Sequence, residues 1–488
     1  MNLVMGAAAA LYALVLAALC LYSLECHALV WLARRVRREP DAPPPAAWPR
    51  VTVQLPVYNE PEMVERLLAA AARLEYPRPV EIQLLDDSTD ETSVIAARAV
   101  AALVRAGHRV VHLRRSERRG FKAGALADGL ALAEGEALAI FDADFLPEPD
   151  FLLRTLPHLL APGVGVVQAR WGHQNRDEGP LTRAQALAID GHFGVEQPAR
   201  AGTPGYLGAF NGSAGAWRRE AIAAAGGWSA DTLTEDLDLS LRAQFAGWRV
   251  RYLEGVVVPA ELPRTAGALK AQQRRWAQGS IQNARKHWRA VLTAPLSIAA
   301  RLEAMLHLTH YFVQPLILLS VLLLVPLDLA VLAGGDRPGL ATLALPLLLA
   351  SGGPTAMYLA AQHRLGQRWW ARLRDLPWLL LLGTGLCVSN TVGVVRALAG
   401  GGGTFERTPK GSRMRAGQGG VALGLVEVAI GLGCFALAAD LLGRGLASFA
   451  PFLLLDGAGL VWVGGASLAE RAETIAPTPA RRAREDHA

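Results

Sequence analysis

Cysteine is scarce in this chain: four in 488 residues, Cys20, Cys26, Cys387 and Cys434, all in apolar stretches. Their spacing fits no zinc site and argues against a disulfide framework, which suits a reduced, cytosolic setting for the polar part of the chain. Charge is also sparse. Charged residues make up 19% against 52% hydrophobic, too apolar for an ordinary soluble enzyme. No G-x-G-x-x-G follows the first expected strand and no P-loop occurs, so dinucleotide-binding and ATPase readings lose support. No nucleic-acid-binding motif is present. The net charge of +6 owes much to basic residues flanking apolar segments, which favours lipid headgroups over nucleic acid as partners. The apolar stretch at 3–32 lacks the basic start and short core of a signal peptide. It ends in Arg34, Arg35, Arg37 and Arg38, and so reads as a transmembrane anchor with its arginines in the cytoplasm.

What is present falls into blocks. After the anchor (1–33) and a basic, proline-rich linker (34–49), residues 50–263 alternate short apolar runs with helical patterns. The runs at 51–55, 80–85, 110–113, 137–141 and 164–168 read as buried strands, and those at 62–73, 94–105 and 123–133 as helices. This is the βαβ pattern of an α/β domain with an open, mostly parallel, Rossmann-like sheet. Residues 264–300 read as interfacial amphipathic helices, 301–363 and 419–469 as transmembrane hairpins, and 470–488 as a cytosolic tail. A bilayer core needs ~20 apolar residues, and the stretches at 305–332, 340–361, 421–442 and 446–468 all suffice. The segment at 377–395 is long enough too, but basic residues flank both ends and Ser389-Asn390-Thr391 sits in its middle. We therefore expect 364–398 to be interfacial or re-entrant and 399–418 to be a cytoplasmic loop, leaving five spans.

Ligands of open α/β sheets sit at the carboxyl ends of the strands. Tyr58, Asn59 and Glu60 follow the first expected strand, Asp86 and Asp87 the second, Asp142 and Asp144 the fourth. Two carboxylates two residues apart at a strand end can reach one hard cation bridging a diphosphate, although a D-x-D turn is also a common solvated feature. Two acidic pairs on one sheet edge favour a divalent-metal and nucleotide site. Lys122 opens a helix between Gly120 and Gly124, where bound phosphate is favoured; an exposed lysine is the plainer alternative. Thr232-Leu233-Thr234-Glu235 fits a capping box, which puts Asp236 in a first helical turn. That position suits a base taking a proton from a sugar hydroxyl, and equally a routine helix-start stabiliser. Phe210 and Asn211 combine an aromatic with an amide, suited to a sugar or to a tight turn on the sheet. Gln272, Arg275 and Trp276 fall at i, i+3 and i+4, one helix face with an amide, a phosphate-gripping guanidinium and a flat indole. A basic amphipathic helix on a membrane surface would look similar.

These pieces, in this order, resemble the processive family 2 glycosyltransferases of the cellulose synthase superfamily. Asp86-Asp87, Asp142-Ala143-Asp144, Thr234-Glu235-Asp236 and Gln272-x-x-Arg275-Trp276 carry the resemblance over about residues 51–276. The stretches QLPVYNE, LLDDSTD, GFKAGAL, IFDADFLPEPDFL, VQARW and FNGSAG are most similar to cellulose synthase-like mannan, glucomannan and xyloglucan-backbone synthases. The resemblance implies a GT-A type domain joined to a helical membrane domain. It implies that Tyr58, Glu60 and Asp87 hold the nucleotide, Lys122 and Arg275 the diphosphate, and Asp142 and Asp144 Mg²⁺ or Mn²⁺. Asp236 would be the base, with Phe210, Asn211, Glu235, Gln272 and Trp276 around the acceptor. Phe405, Thr408 and Lys410 belong to a stretch similar to the gating loop of bacterial cellulose synthases. The implied function is inverting, processive transfer of glucose or mannose from UDP-glucose or GDP-mannose onto a growing β-glycan, in a multi-pass bacterial-type inner membrane with the catalytic domain cytosolic. Periplasmic or export partners are compatible with it. Single addition to a lipid acceptor, or a nucleotide-binding export channel without catalysis, are the alternatives.

Overall fold

The computed structural model describes residues 2–332, 344–401, 420–445 and 449–475. Phe405, Thr408 and Lys410, with most of the expected loop at 399–418, lie outside the described residues.

One seven-stranded sheet organises the first half of the chain. Its strands are β1 (Val51–Val57), β2 (Glu81–Asp86), β3 (Arg109–Arg114), β4 (Ala137–Ile140), β5 (Val164–His173), β6 (Gly215–Arg218) and β7 (Arg249–Ala260). They lie in the order β3-β2-β1-β4-β6-β5-β7. β6 runs antiparallel to β4 and β5, and the remaining pairs are parallel. The apolar runs of β1, β2 and β4 are covered on both faces, as parallel strands must be, whereas β3 at the edge exposes Arg109, Val111 and Arg114. The sheet is thus the expected open, mostly parallel GT-A type. Two strands escape sequence reading. β6 has only four residues, and β7 mixes charges into an apolar run and bulges at Glu254–Val256, where its register with Ala169 and Arg170 slips.

Helix α1 (Asn2–Arg35) precedes the sheet, and α2 (Val64–Ala72), α3 (Thr92–Arg105), α4 (Phe121–Leu132) and α5 (Phe151–Leu159) follow the first four strands in turn. α2, α3 and α5 bury Leu67, Val100 and Phe151 against Val53 and Leu55 on one face. α4 covers the other with α8 (Arg219–Ala224) and α9 (Glu235–Phe245), around Leu126, Leu138, Trp217 and Leu239. Between β5 and β6, α6 (Pro180–Gly191) passes through a π-helical turn, His192–Glu196, into α7 (Gln197–Gly202).

A single 28-residue helix, α10 (Ala266–Thr293), carries the chain from the sheet to the apolar half. It is followed by α11 (Ile298–Thr309), α12 (Val313–Leu332), α13 (Ala344–Arg364), α14 (Trp369–Arg372), α15 (Leu376–Gly385), α16 (Cys387–Leu398), α17 (Gly420–Gly443) and α18 (Ala450–Ile475). Among the described residues, four stretches are long and apolar enough to cross a membrane: Gly6–Arg35, Ile298–Leu327, Val421–Gly443 and Ala450–Ala472. Of the expected span at 340–361, the described residues begin at Ala344, in α13, which continues without a break to Arg364. It packs along α1, itself long and apolar enough to cross a membrane, so closely that a Cβ on Gly353 would collide with the Ser23 carbonyl oxygen. The pair Trp369–Gly385 and Cys387–Leu398 is bent by 43° and is long and apolar enough only as a pair.

Two devices tie the halves together. Glu254 on β7 forms an ion pair with Arg38, just beyond α1, at 2.7 Å and accepts from Arg364, at the end of α13, at 2.7 Å. The start of α10 is capped twice: Thr265 Oγ1 accepts from Ala268 N at 3.2 Å, and Glu470 of α18 accepts from Ala266 N and Gly267 N at 2.6 and 2.9 Å. One turn later Lys270 meets Glu427 of α17 at 2.5 Å, both side chains buried.

Candidate active site

The loops at the carboxyl ends of β1, β2 and β4, the start of α9 and one face of α10 enclose a single cavity. Tyr58, Glu60, Asp87, Lys122, Asp142, Asp144, Asn211, Glu235, Asp236, Gln272, Arg275 and Trp276 all line it. The helical spacing of the last three therefore does present one face, and that face meets the acidic sheet edge.

At the β1–β2 end, Asp87 is gripped by both arms of Arg115, at 2.7 and 2.5 Å, and the Arg118 guanidinium lies 3.5 Å from the centre of the Tyr58 ring. A flat cation stacked on a phenol, next to a fixed carboxylate, offers a platform and an edge to a planar heterocycle. Sequence pattern gives neither arginine a role, because nothing in the run RRSERRG distinguishes them from surface charge. Asp86 does not join the cavity. Its carboxylate accepts from His112 at 2.9 Å and Ser88 N at 2.8 Å, and although burial opposes ionisation, these bonds outweigh it and hold its pKa at about 2.

In the middle, Lys122 follows two residues in the left-handed region, Gly120 (φ 69°) and Phe121 (φ 51°). Its ammonium lies 2.6 Å from Asp142 and 3.7 Å from Glu235, and donates to the Gly212 carbonyl at 2.8 Å. Burial lowers its basicity, but the two carboxylates more than restore it. For Asp142 the balance goes the other way: burial outweighs Lys122 and raises its pKa. Among the described residues three non-glycine positions have positive φ, Asn59, Phe121 and Ala214, each within two positions of a cavity residue. Such strain persists where the surrounding fold imposes it, and this signal is absent from sequence.

Asp236 stands in the first turn of α9, as expected, but the capping box does not form. Thr234 is the N-cap but makes no side-chain cap bond; its Oγ1 accepts from Asn283 at 2.9 Å, and Thr232 donates to the Thr234 carbonyl and also accepts from Asn283. Burial, then the charge of Glu235, push the Asp236 carboxyl up to about 7, against the pull of Lys122 and Arg275. Gly212 (φ 84°) lies against it: a Cβ there would stand 2.8 Å from Asp236 Oδ2. The same carboxylates hold Arg275 charged while burial lowers its pKa. Gly279 brings α10 equally close, since its Cβ would meet Thr234 Cγ2 at 2.6 Å.

One expectation fails. Phe210 is 1% exposed and packs edge-on against Trp217 beneath the sheet, so it cannot touch a ligand; its neighbour Asn211 points the other way. Trp171 and His173, to which the sequence pattern gives no role, line the cavity, His173 being held by the buried Asp190 at 3.0 Å.

A GT-A type sheet whose carboxyl edge gathers a near-neutral carboxylate, an Asp-x-Asp turn and the Gln272/Arg275/Trp276 face is the arrangement of a glycosyltransferase domain. The comparisons agree. Residues 137–352 match the model "Glycosyl transferase family group 2". A probable glucomannan 4-beta-mannosyltransferase 7 of Oryza sativa subsp. japonica is 44% identical over 253 residues, covering 51% of this chain and 43% of that protein. Glucomannan 4-beta-mannosyltransferase 7 of Arabidopsis thaliana is 40% identical over 247 residues, covering 49% and 44%. The chain thus spans less than half the length of these relatives. Among solved structures, the mannosyltransferase PcManGT from Pyrobaculum calidifontis, in complex with GDP-Man and Mn²⁺, is 26% identical with a TM-score of 0.51, over 72% of this chain and 98% of that one. Residues 137–352 thus match family 2 glycosyltransferases, and about half of the chain is similar to plant glucomannan mannosyltransferases. Both curated relatives come from plants and give no support to the expected bacterial-type inner membrane.

Proposed function

We propose that this protein is a membrane-integral, inverting β-glycosyltransferase that extends a β-linked polysaccharide from a nucleotide sugar, with GDP-mannose the favoured donor. The observation that carries the reading is Asp236. It is a half-buried carboxyl poised near neutrality, in the same cavity as the Asp-x-Asp turn and the Gln272/Arg275/Trp276 face. The preference for mannose rests on the two plant mannosyltransferases and on the GDP-Man complex of the archaeal structure. UDP-glucose is the alternative donor.

Asp236 takes the proton of the acceptor hydroxyl as its oxygen bonds to the anomeric carbon, and the bond from that carbon to the diphosphate breaks. Lys122 and Arg275 offset the charge growing on the leaving group. The nucleobase is seated on the Arg118–Tyr58 platform beside Glu60 and Asp87, and the acceptor's terminal sugar between Trp276, Asn211, Glu235 and Gln272. Among the described residues no three His, Cys, Asp or Glu side chains form a metal cluster. Asp142 and Asp144 nevertheless offer hard oxygen ligands on one turn, which fits Mg²⁺ or Mn²⁺ completed by diphosphate oxygens. When bound, the cation would neutralise part of the leaving group's charge.

The catalytic domain is cytosolic in this reading, and the product leaves through the membrane helices. His307 Nε2, Gln314 Oε1, Ser389 Oγ and Asn390 Oδ1 are buried there without a hydrogen-bond partner among the described residues, as suits a path for a polar chain. Incubating the purified protein with radiolabelled GDP-mannose, UDP-glucose or UDP-N-acetylglucosamine and Mn²⁺ tests the proposal, with products sized by gel filtration. Label from GDP-mannose in polymer is expected. A single sugar added to lipid would overturn the polymer reading, and metal-independent behaviour with no nucleotide release would overturn the enzyme reading.

A further inference from the structure

Behind Asn211 runs a row of side chains that the reaction itself does not use. His192, Glu196 and Arg200 recur every four residues along the helical segment that begins at α6 and passes through the π turn. His192 Nδ1 lies 2.8 Å from Glu196 Oε2, and the same oxygen accepts from Arg200 Nη1 at 2.8 Å. Arg200 is buried, and it also pairs with Glu303 of α11 and, at 3.5 Å, with Glu25 of α1. Burial opposes ionisation of Glu196, but Arg200 and His192 outweigh it and hold its pKa well below the usual range. A carboxylate can only accept, so His192 must carry its proton on Nδ1. In the neutral ring Nε2 is then an acceptor, and it stands 3.1 Å from Asn211 Nδ2. On the other side of the same amide, Gln197 donates to Asn211 Oδ1 while also donating to the Ala209 carbonyl at 2.7 Å.

Every polar atom of the Asn211 side chain except one hydrogen is thereby committed. Its oxygen is taken by Gln197 and one Nδ2 hydrogen by His192; the second has no acceptor among the described residues, and Asn211 lines the cavity. We propose that the His192–Glu196–Arg200 row and Gln197 are positioning residues that fix the hydrogen-bonding sense of Asn211, so that it offers an N–H to an oxygen lone pair of the acceptor sugar. This rests on the proposed function, in which Asn211 faces the acceptor. Because the row is anchored on Glu25 and Glu303, the apolar helices α1 and α11 set the polarity of the acceptor wall.

The full chain is assayed for GDP release from GDP-mannose and Mn²⁺ with mannotetraose as acceptor. His192→Phe removes the acceptor atom and His192→Lys replaces it with a donor. Each should raise the KM for mannotetraose about tenfold, the worth of one oriented hydrogen bond, with the KM for GDP-mannose unchanged. In His192→Gln the amide can donate to Glu196 and accept from Asn211, so the KM should stay within about threefold of the unaltered protein. Gln197→Leu frees the other end of the Asn211 amide and should raise the same KM, which covers the case that a His192 variant fails to fold. If the unaltered protein turns over but the Phe, Lys and Gln variants at 192 share one acceptor KM, or all lose donor affinity alike, the positioning role is overturned alone. If the unaltered protein releases no GDP in response to acceptor, the enzyme reading falls and this inference with it.

Discussion

Replacing Asp236 with asparagine keeps the shape of the side chain and removes its ability to take a proton. A positioned general base contributes typically ~10²–10⁴ in rate, so the turnover of Asp236→Asn should fall by that factor, or about 3–5 kcal/mol of barrier at 1.36 kcal/mol per decade. Donor affinity should survive, because Lys122, Arg275, Asp87 and the Tyr58–Arg118 platform are untouched. The pH dependence supplies an independent check. With its carboxyl at about 7, Asp236 is mostly protonated at pH 6, so activity of the unaltered protein should rise with pH through neutrality. Stability should move the opposite way. The folded state holds this proton well above the ordinary 3.8, so between about pH 4 and pH 7 it binds more protons than the unfolded chain. The carboxyl therefore costs stability progressively as pH rises through that window, by a few kcal/mol once it is fully ionised, since each decade in its proton affinity is worth about 1.4 kcal/mol. Asp236→Asn should accordingly melt higher than the unaltered protein at pH 8 and no higher at pH 4, measured by intrinsic fluorescence in detergent. Polymer synthesis within tenfold of normal would refute the base assignment. An identical melting difference at both pH values would refute the electrostatic account of this site.

The helix face of α10 separates into two phenotypes. Arg275→Ala should weaken GDP-mannose binding and turnover together, while Trp276→Ala spares donor affinity and lowers chain extension, stacking being worth ~0.5–1.5 kcal/mol beyond burial. Nucleotide titration and polymer yield per folded molecule distinguish them, and unchanged values for both would leave α10 a mere surface helix. Gly212→Ala forces a Cβ to within 2.8 Å of Asp236 Oδ2 at a φ of 84°, so it should cost ~1–3 kcal/mol in stability and abolish most activity; a fully active variant would contradict the packing. The bent pair α14–α16 is tested with single cysteines at Gln367 and Ala399 in a cysteine-free background. Labelling of both by an impermeant thiol reagent from one side means the segment re-enters, and labelling from opposite sides means it crosses.

Local pattern was enough for β1, β2 and β4, since strands buried on both faces must be continuous apolar runs, and for the apolar centre of the edge strand β3 and the first half of β5; it also singled out the motif residues that the fold brings to one cavity. The i, i+3, i+4 spacing on α10 was readable because a helix repeats regardless of its surroundings. Pairing between distant segments was not. β6 and β7 exist because β5 and β4 bind them, and four residues reading GAWR hold no strand signal of their own. Phe210 and Asn211 are neighbours in sequence, yet one is buried against Trp217 and the other faces the cavity, a division set by the direction in which the backbone crosses the sheet edge. An aspartate at a helix start was visible in the chain; a carboxyl poised near 7 was not, because that value comes from burial beside Glu235, Lys122 and Arg275, and α10 reaches the site only after the whole sheet has formed. Likewise the four-residue period of His192, Glu196 and Arg200 is local, but their hold on Asn211 depends on α7 packing against β7 while the loop before β6 returns beneath it, which no spacing in the chain records.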